Sequence, residues 1–171
     1  TRIQVEHGIT EMVSGVDLVR EQLRIASGLP LSVTQEAVHI TGHAIECRVN
    51  AEDPAADFRP CPGTVEFLHF PGGPGVRVDS CLYTGCQLPP WYDSLAAKVM
   101  AHAPTRLEAI RRMRRSLEEF ILEGFPTNAE LSYQILYHPD FIRGCCTTAF
   151  LDEHLPELLE FRRRLEEETK V

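Results

Sequence analysis

The first segment of the chain places three polar side chains at alternate positions. Arg2, Gln4 and Glu6 are separated by single apolar residues, which is the period-two pattern of a strand. Side chains two positions apart on a strand share a face and lie ~6.6 Å apart. A cation, an amide and a carboxylate would then stand in a row. A guanidinium binds a planar oxyanion through paired hydrogen bonds, the amide donates another, and a carboxylate can remove a proton.

A second segment, from His43 to Asn50, repeats this alternation. Its polar side chains would form one face of a strand and its apolar side chains the other. Such polar faces usually contact water, and an exposed arginine–glutamate pair contributes little to stability. The pattern alone therefore leaves an anion site and a solvated strand face both open. The polar positions are Glu46, Arg48 and Asn50, and the apolar ones are Ile45, Cys47 and Val49.

Several short alternating segments follow one another between glycine- and proline-rich turns. Short strands punctuated in this way are typical of an antiparallel sheet. With the helices predicted on either side of them, they indicate an α+β fold in which helices pack on an antiparallel sheet. The predicted strands are Thr1–His7, Val38–Ile40, His43–Asn50, Val65–Phe70, Val76–Ser80 and Leu95–His102.

The helices that must support this sheet are indicated by 3.6-residue periodicity and by capping patterns. Ile9–Ser27 is predicted as a helix with a weak point at Ser14-Gly15 and with Val19 and Leu23 on its apolar stripe. Thr105 and Glu108 form a capping box, which opens a helix that Gly124 and Pro126 should end. Thr127 to Glu130 is predicted to be a second capping box, and Pro156–Lys170 a charged surface helix. The predicted buried face of the long helix is Leu107, Ile110, Met113, Leu117, Phe120 and Ile121.

Composition narrows the class of protein. The 171 residues carry a net charge of −8, and a negative field disfavours non-specific contact with nucleic acid or anionic lipid. No apolar run approaches the ~20 residues of a membrane span. The six cysteines contain no C-x-x-C pair, which argues against a zinc ribbon. We expect a cytoplasmic protein that binds neither nucleic acid nor membrane.

Longer motifs then add a family resemblance. Arg2-Ile-Gln-Val-Glu6-His7 closely resembles the biotin carboxylase signature that closes the ATP-grasp domain of that family, and Gly42 to Asp53 resembles the segment that opens its carboxyl-terminal domain. The resemblance implies residues 1–40 as the end of an ATP-grasp domain and 41–152 as the biotin carboxylase carboxyl-terminal domain. It leaves out residues 153–171, which are predicted from their charge to be a charged C-terminal helix or tail. Further motifs in the family's order are Pro62-Gly63, Pro71 to Arg77, Tyr92-Asp93-Ser94 and Thr127-Asn128.

The resemblance also implies roles for individual residues. Arg2 would bind bicarbonate, and Gln4 and the backbone amide of Val5 would complete its cradle. Glu6 would be the general base that deprotonates bicarbonate. Arg48 would contact bicarbonate and biotin and would stabilise the biotin enolate. The implied catalytic residues are therefore Arg2, Glu6 and Arg48.

In this family, ATP phosphorylates bicarbonate to carboxyphosphate, and biotin on its carrier protein is then carboxylated. The resemblance thus implies biotin and ATP with Mg²⁺ or Mn²⁺, and a role in the first half-reaction of acetyl-CoA carboxylase in fatty acid synthesis. The implied partners are the biotin carboxyl carrier protein, the carboxyltransferase subunits and a second copy in a homodimer.

Missing segments and two substitutions separate this chain from the family pattern. It contains no glycine-rich phosphate loop, and the family's metal ligands would lie before Thr1, so we expect no metal ligand here and no activity from the chain alone. Gly8 also stands where the family usually has proline, and Pro74 where relatives often place an aromatic residue.

The alternative function is that of a non-catalytic dimerisation or docking module. The presence together of four polar residues argues against it, because such a module needs none of them: Arg2, Gln4, Glu6 and Arg48.

Overall fold

The fold combines six α-helices with seven short strands in the part of the chain that the structure describes. The structure is a computed structural model that describes residues 2–168, and side chains as far as residue 160. In chain order the elements are α1 His7–Ser14, α2 Leu18–Ala26, β1 His43–Asn50, β2 Glu52–Asp53, β3 Arg59–Pro60, β4 Phe67–His69, β5 Val76–Asp79, β6 Leu95–Ala103, α3 Arg106–Glu119, β7 Ile121–Glu123, α4 Ala129–Ile135, α5 Pro139–Arg143 and α6 Phe150–Glu168.

The central sheet is antiparallel, in the order β1-β6-β5. β1 pairs with β6 along its whole length, from His43 opposite Ala103 to Asn50 opposite Leu95, with an irregularity between Val49 and Asn50. Two small antiparallel pairs, β2-β3 and β4-β7, lie outside it. The predicted antiparallel sheet is confirmed, and the β1 prediction agrees with the observed bounds. Of the Val65–Phe70 prediction, only Phe67–His69 is a strand.

The hydrophobic core lies between one face of this sheet and α3. Val49 and Val99 from the sheet, Ile110 and Met113 from α3, and Leu136 after α4 are almost fully buried there. Because side chains alternate along a strand, the same register buries Ile45 and Cys47. The predicted apolar face of β1 is therefore confirmed.

α3 begins as predicted but ends earlier. Thr105 and Glu108 form a capping box, so the start at Arg106 is confirmed. The predicted end near Gly124 is wrong, because residues 121–123 leave the helix and pair with β4 as β7. Gly124 has a φ of 119°, and a Cβ there would lie 1.9 Å from the carbonyl oxygen of Thr64. The predicted burial of Leu107 and Ile121 is also wrong, since they are 45% and 41% exposed.

The predicted strand at Thr1–His7 is wrong for the residues that the structure describes. Residues 2–6 form no strand, and α1 begins at His7. A strand requires a neighbour that supplies backbone hydrogen bonds, and no strand between residues 2 and 168 pairs with this segment. The predicted strand Val38–Ile40 is wrong for the same reason. Thr1 lies outside the described residues.

The helix predicted from Ile9 to Ser27 is two helices that separate at the predicted weak point. Gly15 ends α1 with a φ of 72°. Asp17 then begins α2, because its side chain accepts a hydrogen bond of 2.8 Å from the amide of Arg20. The predicted apolar stripe is Leu18, Val19, Leu23 and Ala26, and two of its residues, Val19 and Leu23, are 42% and 65% exposed.

The C-terminal helices differ from prediction in their first residues. The capping box predicted at Thr127 is wrong, because α4 has no side-chain cap at its N-terminus. The charged helix predicted from Pro156 begins earlier, at Phe150, with Pro156 inside it, and the rest of that prediction, residues 169 and 170, lies outside the described residues. Across residues 2–168, no helix combines the length and the apolar character needed to cross a membrane.

Candidate active site

The face of the central sheet opposite α3 carries charged side chains, and α1 lies across it. Arg48 in β1 and Asp79 in β5 both pair with Lys98 in β6, so the three side chains share this face. α1 approaches closely because its Gly8 has no side chain: a Cβ there would lie 2.3 Å from Met100 Sδ. The fold thus brings the first residues of the chain against a charged row on the sheet.

Arg77 and Lys98 hold the N-terminal segment to the sheet. Arg77 donates to Glu11 Oε2 in α1 at 2.6 Å and to both carboxylate oxygens of Asp79 at 2.8 and 2.9 Å. Lys98, which is only 8% exposed, donates to the carbonyl oxygen of Val5 at 3.0 Å and lies 3.1 Å from Asp79 Oδ2. Asp79 is therefore the anion that Arg77 and Lys98 share, while Arg77 also binds Glu11 and Lys98 also binds the carbonyl oxygen of Val5.

The pKa values of Asp79 and Glu46 move in opposite directions on this face. Desolvation is the largest single influence on the pKa of Asp79 and raises it, but the hydrogen bonds and charges of Arg77 and Lys98 together outweigh it and lower the pKa. For Glu46, desolvation is again the largest influence on the pKa. Here it outweighs the attraction of the Lys98 and Arg48 charges, so the pKa is raised. The Glu46 side chain is 5% exposed, and neither carboxylate oxygen has a hydrogen-bond partner.

Arg48 joins this charged face to the N-terminal segment. Its Nη2 donates to Glu6 Oε2 at 2.6 Å, and its Nε lies 3.6 Å from Glu46 Oε1. The second distance is too long for a hydrogen bond, so Glu46 acts on Arg48 through its charge. The Arg48 side chain remains 47% exposed. Because the Arg48 guanidinium is half exposed, another anion can replace the Glu6 carboxylate at Nη2, while Glu46 stays close to Nε.

Asn128 fixes the backbone of β1 at Arg48. The Asn128 side chain donates to the carbonyl oxygen of Arg48 at 3.1 Å and accepts from the amide of Asn50 at 2.8 Å. These bonds span the irregularity between Val49 and Asn50. Because both ends of the amide are used, Asn128 restrains the backbone that carries Arg48.

An open cavity of about 550 Å³ lies beside Glu6. Arg2, Gln4 and Glu6 all line it, together with side chains of α1 and α2. Arg2 donates to Gln4 Oε1 at 3.4 Å, and both side chains are exposed. The cavity thus contains the cation, the amide and the carboxylate that the alternation singled out, although no strand aligns them.

The structure brings the predicted site residues together in two contacts. Arg2 contacts Gln4, and Glu6 contacts Arg48, which is not among the residues that line the cavity. Val5 contacts the charged face through its carbonyl oxygen, which accepts a hydrogen bond from Lys98. The role of its backbone amide in binding bicarbonate stays a prediction. Lys98, Asp79 and the bracing role of Asn128 were not predicted. A lone lysine inside the apolar segment Leu95–Ala103 was the available signal for Lys98.

Asp79→Asn is expected to lower the free energy of unfolding of the chain by about 1–2 kcal/mol at pH 7, because Arg77 and Lys98 lose their shared anion. Since folding lowers the pKa of Asp79, its stabilisation is present above the unfolded-state pKa and is lost as pH falls through the lower folded-state value. Urea denaturation at neutral and acidic pH measures both effects.

Glu46→Gln is the matched control, since folding raises the pKa of this carboxyl group. Its charge opposes folding at pH 7, so removing the charge should leave stability unchanged or increase it. Equal destabilisation by the two variants would contradict the opposite roles assigned to the two carboxylates.

Two family models match the chain. Residues 46–153 match the biotin carboxylase C-terminal domain, and residues 1–34 match the ATP binding domain of the carbamoyl-phosphate synthase L chain. A biotin carboxylase of Nostoc sp. is 53% identical over 153 residues, covering 90% of this chain and 34% of the relative. A pyruvate carboxylase subunit from Methanothermobacter thermautotrophicus is 51% identical over 154 residues, covering 90% of this chain and 31% of the relative.

Solved structures show the same similarity. The biotin carboxylase domain dimer of Hydrogenobacter thermophilus 2-oxoglutarate carboxylase, in complex with MgADP, ADP and bicarbonate, has a TM-score of 0.89 and 46% identity, covering 92% of this chain and 35% of that chain. Biotin carboxylase from Campylobacter jejuni has a TM-score of 0.85 and 37% identity, covering 90% and 34%. The chain spans about a third of the length of the curated relatives it matches.

Proposed function

The chain belongs to the biotin carboxylase family, and from this premise we propose that it takes part in the ATP-dependent carboxylation of biotin with bicarbonate. The contact between Glu6 and Arg48 carries the proposal. It joins a carboxylate in the segment that matches an ATP binding domain to a guanidinium in the segment that matches the C-terminal domain. A base that lines the open cavity then contacts an anion-binding cation.

Each of these residues has a role that its chemistry supports. Arg2 and Gln4, with the amide of Val5, bind bicarbonate, because a guanidinium fork and N–H donors match its oxygens. Glu6 accepts the bicarbonate proton as general base. Arg48 contacts bicarbonate and biotin, and its fixed charge stabilises the negative charge that develops on biotin in the transition state. The remaining residues of the charged face hold these groups in place.

ATP with Mg²⁺ or Mn²⁺ would supply the phosphoryl group, and residues outside these 171 would hold it. By the same family reasoning, residues 1–40 form the end of an ATP-grasp domain and 41–152 the carboxyl-terminal domain. Residues 153–171 are proposed to be a charged C-terminal helix or tail on their composition alone. We further propose acetyl-CoA carboxylase in the cytoplasm as the setting, with a carrier protein, carboxyltransferase subunits and a second copy as partners. The pyruvate and 2-oxoglutarate carboxylase relatives are the competing settings.

The full-length protein is expected to release phosphate from ATP in the presence of bicarbonate and Mg²⁺, and free biotin should increase the rate. The 171-residue chain alone is expected to release none, with or without biotin, because the family's nucleotide-binding residues lie outside it. A phosphate-release assay on both proteins measures this.

The two halves of the test have separate meanings. A full-length protein without biotin-dependent phosphate release would support the non-catalytic module instead. Phosphate release from the 171-residue chain would contradict only its expected inactivity, and would leave the proposed reaction in place.

A further inference from the structure

Two histidines and an aspartate converge where α5 meets α6, far along the chain from the candidate active site. His138 is the residue before α5, Asp140 lies in the first turn of α5, and His154 lies on α6. Asp140 Oδ2 is 3.9 Å from His138 Nδ1 and 3.7 Å from His154 Nε2. One ligand atom from each of the three residues lies within 4.8 Å of the other two. Within residues 2–160, no other group of three such side chains is this close.

The two carboxylate oxygens of Asp140 have different surroundings. Oδ1 accepts a hydrogen bond of 2.5 Å from Arg143, which is 66% exposed. Oδ2 is the oxygen that lies between the two imidazoles. Arg143 therefore orients the carboxylate and leaves Oδ2 turned towards both rings.

The imidazole rings are held in position by their packing. The His138 and His154 ring centroids are 4.3 Å apart, and each is 4.9 Å from the ring centroid of Phe150. All three polar side chains are half-buried. The rings thus have a fixed apolar support, and the cluster is still reached by solvent.

We propose that His138, Asp140 and His154 bind one divalent transition-metal ion of the Zn²⁺ type. Imidazole nitrogens suit Zn²⁺, Ni²⁺, Cu²⁺ and Co²⁺, whereas Mg²⁺ and Ca²⁺ prefer all-oxygen sites. Metal–ligand bonds of ~2.0–2.2 Å place tetrahedral ligand atoms ~3.3 Å apart, so the two measured pairs must close by about half an ångström. Binding through His138 Nδ1 also replaces its long hydrogen bond, at 3.2 Å, from the Asp140 amide.

Such an ion would fasten α6 to α5. At this point the two helices now meet through the contact between Asp140 and His154 and through the packing of the His138 ring on Phe150 and His154. Coordination bonds would replace the 3.7 Å contact between Asp140 Oδ2 and His154 Nε2, and would therefore restrain the helix that carries the last described residues. This role is independent of the proposed carboxylation.

Calorimetric titration of the full 171-residue chain with Zn²⁺ tests the site. Cys145 and Cys146 are exposed, follow α5 after Gly144 and could bind Zn²⁺ through their thiols. The titration is therefore made in the Cys145→Ser/Cys146→Ser variant. We expect one saturable equivalent of Zn²⁺, unaffected by excess Mg²⁺, and a higher melting temperature when Zn²⁺ is bound, because the ion binds the folded state.

His154→Ala should weaken Zn²⁺ binding about tenfold or more, since one of three ligands is lost. Asp140→Asn, which keeps the shape of the side chain, should do the same and serves if the alanine variant unfolds. His69→Ala removes an exposed histidine on β4 and should leave binding unchanged. Absence of saturable binding, or equal affinity in all three variants, would show that the two rings and Phe150 are only packed together and would overturn the proposal.

Discussion

Arg48→Gln in the full-length protein is expected to lower the turnover number for biotin carboxylation by ~10²-fold or more, the typical effect of losing one preorganised donor to a developing oxyanion. The KM for ATP should change little, because the nucleotide contacts would lie outside the segment that carries Arg48. Loss of transition-state stabilisation affects turnover more than ground-state binding. Glutamine keeps a hydrogen-bond donor but removes the charge that Glu6 and Glu46 now face. Steady-state kinetics with ATP, bicarbonate and biotin measures the split.

Arg111→Gln is the control for this experiment. Arg111 is exposed on α3, outside the charged face, so its replacement should leave both parameters near the wild-type values. A thermal melt must accompany each assay, since Arg48 is half exposed and its loss should cost little stability. Near-normal turnover in a folded Arg48→Gln protein would remove Arg48 from the mechanism and make its strand face a solvated one.

Ile110→Ala is expected to lower the free energy of unfolding by about 2–5 kcal/mol, the usual range for an isoleucine truncated in a core. Ile110 is fully buried between α3 and the sheet, so the lost methyl groups leave a cavity that the surrounding residues fill only in part. Urea denaturation should show a lower midpoint and an unchanged slope, because the surface exposed on unfolding stays nearly the same.

Leu107→Ala on the same helix is the matched control. Leu107 is 45% exposed, and its replacement should cost less than about 1 kcal/mol because little burial is lost. Similar losses from the two variants would mean that the helix packs along a different face from the one observed.

The parts of the fold that depend on local sequence were predictable. The alternation from His43 to Asn50 predicted both the strand and the face that it buries, and the Thr105–Glu108 pair predicted the start of α3. Leu107 and Ile121 were assigned to the buried face incorrectly. Periodicity shows which residues share one side of a helix, but not how much of that side is covered by the sheet against which the helix packs. The strand predicted at Thr1–His7 failed for a related reason: pairing depends on a partner that no local pattern reveals.

The residues of the candidate site also fall into those that the sequence predicted and those that it did not. Arg2, Gln4, Glu6 and Arg48 were identified by their types and by the family resemblance, and the structure places Glu6 against Arg48. The residues that hold them were missed, because their role depends on contacts between distant segments. Asn128 lay inside the capping box predicted from Thr127 to Glu130, but its side chain bonds to the backbone of β1, 78 and 80 positions away in the chain. Lys98 was overlooked because, apart from His102, the other residues of its strand are apolar.

The close approach of α1 to the sheet links the sizes of the side chains that fit at two distant positions. A Cβ at residue 8 would lie 2.3 Å from Met100 Sδ, so any amino acid other than glycine there obliges the thioether to move or to be replaced by a smaller side chain. Proline, which the family usually has at this position, carries that Cβ. Gly8 and Met100 are thus complementary in size, and a lineage that exchanges one of them changes which side chains selection accepts at the other.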